Sequence, residues 1–445
     1  MRFLFPSEKY NEEIKENCMS KINKIPRLLI IGVNALRKGG SNGKVLTEML
    51  GCWPSEKIAQ FFMHDEQPDF DVCQNFFRVT DREALHAFKT GKRQYHILRK
   101  PEEENDVVSH NANSGRPNKN SLTLLLRDAV WNSRRWQGKE LWEWIEDFSP
   151  EVVLLQAGAS SYTHNIAVQV SKKYDIPLAI FNTENYYLKN YNYLKGKGWD
   201  FIYPLYKWEC DKAFRRLMKK SSLEIYTNEL LDEQYYKAFK RHGVLIYQGS
   251  TLVAMPHVKN TPPKFTYAGN LGVNRHVPLI EVAQALQQVS TDLYLDVYGR
   301  TPNEEIKAQL EREPGIRYHG IVPYDEVIRI TEESDFMVHA ESSDPFWIRD
   351  LNAAFSTKIS DILKAGKCLI LYADASFACS KYVERNDCGC LITSQELLET
   401  KIRGLINNPG LQDKYCENAI RTAERDLDSK KNSEKFMRAI SSLLK

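Results

Sequence analysis

The chain has no long apolar run, no closely spaced pair of metal-type cysteines and almost no net charge, and each lack removes a class of protein. Nowhere in its 445 residues do about 18 apolar residues follow one another, so no membrane-spanning helix is expected. A formal net charge of +3 is too small to argue for a nucleic-acid partner without a local basic patch. The nine cysteines are an odd number, with no CxxC pair and no histidine at ligand spacing, which points to a reduced, cytoplasmic protein without structural zinc. The closest pair, Cys388-Gly389-Cys390, suits neither a metal knuckle nor a disulfide. Glu8, Asn11, Glu12, Glu13 and Lys15 follow Phe5 closely and leave no apolar h-region, so secretion is not expected. Neither GxGxxG nor a Walker A lysine motif is present, which argues against a dinucleotide oxidoreductase or a P-loop enzyme.

What is present reads as a soluble α/β protein. Hydrophobic residues make up 42% and charged residues 27%, and the length calls for two domains rather than one core. Leu28 to Val33 is a buried-strand run, Arg37 to Gly43 a glycine-rich loop in which Gly39, Gly40, Ser41, Asn42 and Gly43 are the candidate phosphate- or acceptor-binding residues, and Val45 to Leu50 opens a helix. Ile58 to His64 predicts a second strand, and Asp81 to Lys89 a helix capped by Thr80. Residues 100 to 120 are polar and turn-rich, a mobile excursion, followed by one long helix carrying Trp131, Trp136, Trp142 and Trp144. Val152 to Leu155 and Ile176 to Phe181 are strands around a helix from Asn165 to Tyr174. The segment from Tyr186 to His242 is rich in tyrosine and in cations such as Lys207, Arg215, Arg216 and Lys219. It reads either as a solvated basic face or as a face for an anionic membrane.

Prolines near residues 254 to 264 mark a linker, after which Phe265–Ala268, Leu293–Tyr298, Ile316–His319, Phe336–Ala340, Cys368–Tyr372 and Cys390–Ile392 predict a second series of strands. The expected architecture is an N-terminal Rossmann-like domain over 1–255, a second over 256–425, and a C-terminal helix over 426–445 packing back on the first. A cleft between two such halves is the default ligand site. Within the second half, Ile359, Ile362, Leu363 and Gly366 recur at helical spacing, so Ser356, Thr357 and Lys358 stand at a helix start where backbone N–H groups and the dipole favour an anion. An ordinary Ser/Thr-capped helix is the plain alternative.

Tyr267-Ala268-Gly269-Asn270-Leu271-Gly272-Val273-Asn274-Arg275, Val297-Tyr298-Gly299, Tyr318-His319-Gly320-Ile321-Val322-Pro323, Ser334 to His339 and Ser356 to Gly366 together resemble the nucleotide-sugar glycosyltransferases of the two-Rossmann GT-B type, family 4 or group 1. The Ser-Thr-Lys-Ile form is similar to a subgroup of polysaccharide-assembly enzymes. The resemblance implies two domains facing across a cleft, and a donor site built from Gly269, Asn270, Arg275, His319, Ile321, Val322, Glu341, Ser356, Thr357, Lys358, Ile359 and Asp361. It implies transfer from a nucleotide-diphosphate sugar, of UDP type, to a glycan or lipid-linked acceptor, with retention and with no metal or other cofactor. Phe355 matches the family's aromatic position. The family's pair of glutamates falls on Asp361 and on Ala353, so the first acid is vacant unless Glu341, Asp344 or Asp350 supplies it.

Where the family often has a histidine after the strand ending at Phe181, this chain has Thr183 and Glu184; Glu184 either meets the sugar or caps the next segment. Arg275 and Lys358 are the expected catalytic cations, meeting the charge that develops on the departing diphosphate. His164 and His339 read as structural. Asp69-Phe70-Asp71 fits the short acidic motif of metal-dependent transferases, but it lies in a polar loop far from the phosphate-binding signals. A non-catalytic nucleotide-sugar-binding or scaffold subunit is the second reading, suggested by Ala353. The expected location is cytoplasmic, with peripheral attachment at the inner membrane face if the acceptor is lipid-linked.

Overall fold

The computed structural model describes residues 24–37, 41–99 and 119–444, with 41–44 given by backbone alone. Gly39, Gly40 and the turn-rich stretch 100–118 lie outside the described residues. The chain divides into two compact units, one of residues 1–227, 232–246 and 430–445, the other of 228–231 and 247–429. The proline-marked stretch thus falls inside the second unit.

Among the described residues the first unit holds an eight-stranded sheet of β1 (Leu28–Gly32), β2 (Ile58–Phe62), β3 (Asn75–Arg78), β4 (His96–Leu98), β5 (Val152–Gln156), β6 (Leu178–Asn182), β7 (Leu223–Tyr226) and β8 (Val244–Leu245). The order is β4-β3-β2-β1-β5-β6-β7-β8, parallel except for β4. β1 pairs with both β2 and β5, so the order reverses beside it. β1 and β2 are buried at every position, as expected of apolar runs covered by helices on both faces.

The expected tryptophan helix is two helices, Ser121–Asn132 and Lys139–Phe148. Arg134 takes a left-handed backbone between them, and Trp136 stacks on Phe61 at 5.4 Å while its ring N–H donates to the Trp131 carbonyl. Burying that indole in the sheet outweighs helical continuity. The glycine-rich loop is also shorter than expected, because Ser41, Asn42 and Gly43 already form the first turn of helix Ser41–Met49. Thr80 caps Asp81–Thr90 in a reciprocal capping box with Glu83. Helix Ser429–Ser441 contributes Phe436, Met437 and Ile440 to the same core as Trp53, Phe62 and Phe181, and Ser433 bridges the Cys52 N–H and the Met49 carbonyl.

The second unit is a six-stranded parallel sheet of β9 (Phe265–Ala268), β10 (Leu295–Tyr298), β11 (Ile316–Gly320), β12 (Phe336–Ala340), β13 (Cys368–Tyr372) and β14 (Cys390–Ile392), ordered β11-β10-β9-β12-β13-β14. Helix His276–Val289 buries Leu279, Val282, Ala283 and Leu286, an i, i+3, i+4, i+7 stripe, against this sheet. The chain leaves β9 for β10 on one side and reaches β12 on the other, so the strand order switches between β9 and β12. In an open α/β sheet such a switch opens a crevice at the strands' carboxyl ends.

Candidate functional site

β9 and β12 deliver the two ends of that crevice. Beyond β9 the turn Gly269 to Asn274 leads into helix His276–Val289, and Val273 and Asn274 both hold left-handed backbones with φ of 54° and 59°. A β-branched residue in that region is an outlier, so surrounding contacts hold the turn against local preference. Tyr267 donates its hydroxyl to the Asn270 carbonyl at 2.8 Å, and the Asn270 side chain accepts the Gly272 N–H at 2.9 Å. Gly269 and Gly299 pack backbone to backbone: a Cβ on Gly299 would sit 1.8 Å from the Gly269 carbonyl oxygen.

This turn aims Arg275 at Glu341, the first residue after β12. The guanidinium Nε and Nη2 donate to the carboxylate at 2.8 to 3.0 Å, a two-pronged pair with side chains only 16% and 7% exposed. His339 joins through Nε2, 3.0 Å from Glu341 Oε1. A carboxylate oxygen can only accept, so the proton is assigned to Nε2. Burial raises the Glu341 pKa most, but the His339 hydrogen bond and the Arg275 charge outweigh it and hold the carboxyl below its ordinary value. Burial also lowers the His339 pKa, with Arg275 and Lys358 adding to the effect against Glu341, so the imidazole stays neutral.

Lys358 completes the cluster from helix Thr357–Lys364, whose buried face is Ile359, Ser360, Ile362 and Leu363. Its stem runs so close to the turn that a Cβ on Gly269 would meet Lys358 Cε at 2.6 Å. Ser356 holds the N-cap position without its hydroxyl bonding a helix N–H. Arg275, Lys358 and Glu341 therefore leave one net positive charge at the strand ends, beside a helix start and a glycine turn. That arrangement suits a multiply charged anion, with the Nη1 edge of Arg275 on the side that Glu341 does not engage.

The other expected residues fall elsewhere. His319 lies at the end of β11, its ring stacked on Tyr298 at 4.4 Å and its Nε2 2.7 Å from Asp296; Ile321 beside it is exposed and Val322 half-buried. The Asp361 carboxylate accepts the Ser250 hydroxyl at 2.6 Å. Ala353 is buried with its carbonyl accepting from Asn228, and Asp344 caps helix Pro345–Leu351. Of the acids considered for the vacant position, the structure brings Glu341 to Arg275. Phe355 packs edge-on against Tyr247 and Tyr382. Glu184 belongs to the first unit, just beyond β6, where it lies beside the hydroxyl of the half-buried Tyr186, whose pKa is pushed up by desolvation first and by Glu184 next. Asp69 accepts the Asp71 N–H, while Phe70 packs on the core.

His339 is the member of the cluster that sequence reasoning left as structural. The signal was its spacing: on a strand, residues two apart share a face, so His339 and Glu341 had to point the same way.

Residues 254–422 match the family model described as glycosyl transferases group 1, a stretch that contains the whole Arg275, His339, Glu341 and Lys358 cluster. The structure of Anabaena HepE in complex with UDP is similar, with a TM-score of 0.61 and 12% identity over 93% of this chain and 99% of that one. A glycosyltransferase from Rickettsia africae gives a TM-score of 0.57 and 14% identity over 95% and 99% of the two chains. WaaG, a glycosyltransferase involved in lipopolysaccharide biosynthesis, gives 0.55 and 13% over 93% and 99%. Among curated proteins no sequence matches. The architecture shared with these structures is the GT-B fold, two Rossmann-like domains.

Proposed function

We propose that the protein transfers a sugar from a nucleotide-diphosphate donor, of UDP type, to a glycan or lipid-linked acceptor in the assembly of a surface polysaccharide or glycoconjugate. The observation that carries this reading is the Arg275–Glu341 pair with Lys358 at the switch between β9 and β12, inside the stretch that matches the group 1 model. UDP and UDP-glucose are the ligands in structures of HepE, which supports a uridine nucleotide.

In this reading the bond between the anomeric carbon and the diphosphate oxygen breaks while the acceptor oxygen bonds to that carbon. The acceptor's proton passes to the departing phosphate. Arg275 and Lys358 meet the added negative charge, and the start of helix Thr357–Lys364 offers fixed backbone donors. The two cations supply the charge that a metal would otherwise bring, and the resemblance adds retention at the anomeric carbon. Glu184, at the end of β6 in the first unit, is the carboxylate assigned to the sugar.

A thermal-shift screen with UDP, GDP, TDP and CMP tests the donor, because a ligand bound only by the native state raises its melting temperature. UDP is expected to give the largest shift. Arg275→Ala and Lys358→Ala each lower turnover on the order of a hundredfold or more, and a chelator leaves it unchanged. Near-normal rates in both variants would sink the donor assignment. Nucleotide binding with no donor turnover would leave the scaffold reading.

A further inference from the structure

The first unit carries a second surface whose chemistry differs from that of the crevice. Trp199, Phe201, Leu205 and Trp208 are 49%, 79%, 53% and 54% exposed, a cluster of large apolar side chains on a loop and the helix that follows it. Phe201, Leu205 and Trp208 are four and three residues apart, one helical face extended past the start of helix Tyr203–Lys220, and the rings of Trp199 and Phe201 lie 5.7 Å apart. The opposite face of that helix is fully engaged. Tyr203, Tyr206, Phe214 and Leu217 are buried, and the hydroxyls of Tyr203 and Tyr206 each donate to a backbone carbonyl at 2.7 Å. The exposed face is therefore additional to the core.

The loop is shaped to present it. Gly196 and Gly198 have φ of 80° and 90°, and Trp199 itself is left-handed at 59°. A tryptophan rarely adopts that backbone, so two glycines and a strained residue turn the chain at the tip.

Cations border the apolar tip. Lys195 and Lys197 precede it, and Lys212, Arg215, Arg216 and Lys219 continue along the helix, all exposed, with Lys212 Nζ 4.5 Å from the Trp208 ring centre; the exposed carboxylate within the tip, Asp200, is turned back to accept the Gly196 N–H at 3.0 Å, and the cations outnumber it. Indoles at the level of lipid headgroups, an apolar wedge below them and lysines reaching phosphates are what an anionic bilayer surface accepts. A second copy of the chain fits poorly, since a two-fold contact would set this basic border against itself.

We propose that Trp199, Phe201, Leu205 and Trp208 insert into the headgroup region of an anionic bilayer, with the bordering lysines and arginines on lipid phosphates. The full chain is sedimented with vesicles of equal parts phosphatidylcholine and phosphatidylglycerol, and with vesicles of phosphatidylcholine alone. It is expected to bind the anionic vesicles at low salt, to leave them at high salt, and to bind the neutral ones weakly. Phe201→Ser with Trp208→Ser weakens binding on the order of tenfold or more, as expected for withdrawing two large apolar groups from lipid. Lys195→Glu with Lys197→Glu weakens it comparably on anionic vesicles and hardly on neutral ones. Both variants keep the parent's far-ultraviolet circular dichroism and its UDP-induced melting shift, because none of these side chains is in either core.

No binding to anionic vesicles at low salt overturns the proposal, as does equal binding by parent and Phe201→Ser/Trp208→Ser. A dimer in sedimentation velocity that the serine variant dissolves, without vesicle binding by the parent, assigns the face to self-association instead.

Discussion

Arg275→Met isolates what the buried ion pair does for folding from what the guanidinium does for the ligand. The substitution keeps an unbranched stem but leaves Glu341, 7% exposed, without its main countercharge. Breaking a buried pair from one side costs about 3–5 kcal/mol. The low end, about 3 kcal/mol, applies because the His339 hydrogen bond survives and Arg275 is itself 16% exposed. That is on the order of a hundredfold in the unfolding equilibrium of the second unit. Adding Glu341→Leu removes the stranded charge and is expected to restore most of the loss.

Tryptophan fluorescence reports mainly on the other unit, since seven of the eight tryptophans lie in the first unit and only Trp347 in the second. Hydrogen exchange read by mass spectrometry on β9 and β12 peptides follows the right unit. The single variant should exchange faster there and show no UDP-induced melting shift. The double variant should recover protection and still show no shift. Failure of the double variant to regain protection would refute the ion-pair argument. A normal UDP response in either variant would refute the assignment of Arg275 to the phosphate.

Three further outcomes follow from the geometry. Gly299→Ala forces a Cβ to within 1.8 Å of a backbone oxygen at φ 151° and should leave the second unit unable to fold, whereas at Gly269 the obstacles are side chains, the flexible Lys358 stem at 2.6 Å and the Tyr267 hydroxyl at 2.8 Å. Gly269→Ala should therefore melt within a few degrees of the parent yet bind UDP several-fold more weakly, and equal effects of the two on solubility would contradict this. His164 is buried with Nε2 on the Gly158 carbonyl, and burial lowers its pKa from 6.5 to about 4. The unfolded chain then takes up the proton first, so stability is full above pH 6.5 and falls by roughly 3 kcal/mol as pH drops to 4; His164→Gln should flatten that slope in urea titrations of tryptophan fluorescence. Phe436→Ala opens a cavity beside Trp53, 6.4 Å away, and should cost about 3–5 kcal/mol in the same titration. An unchanged midpoint would mean that helix Ser429–Ser441 is dispensable to the first unit.

The second sheet was legible because most of its strands are short, mainly apolar runs bounded by turns, with β12 and β13 buried at every position: β9, β12, β13 and β14 fall on the expected residues. The first sheet hid more. β7 carries Glu224 in its middle, buried against Ser221 and Arg241, so a charged residue masked a strand. β4 is an exposed antiparallel edge of three residues, and β8 has only two. The tryptophan region looked continuous because periodicity cannot show that an indole prefers the sheet to the helix. At the crevice, the sequence and its resemblance named Arg275, Glu341 and Lys358 separately. Their meeting was not legible, because Arg275 and Glu341 are 66 residues apart and only the order of β9 and β12 joins them.

The first unit closes its core with Phe436, Met437 and Ile440, while the second is almost one uninterrupted stretch from 247 to 429. During synthesis the second unit can consolidate as soon as it clears the ribosome, but the first must wait, with the surface under Trp53 and Phe181 open, until residue 440 has emerged. Translation order thus runs opposite to the order in which the two cores can close, and the earlier-made unit is the one whose core stays open the longest.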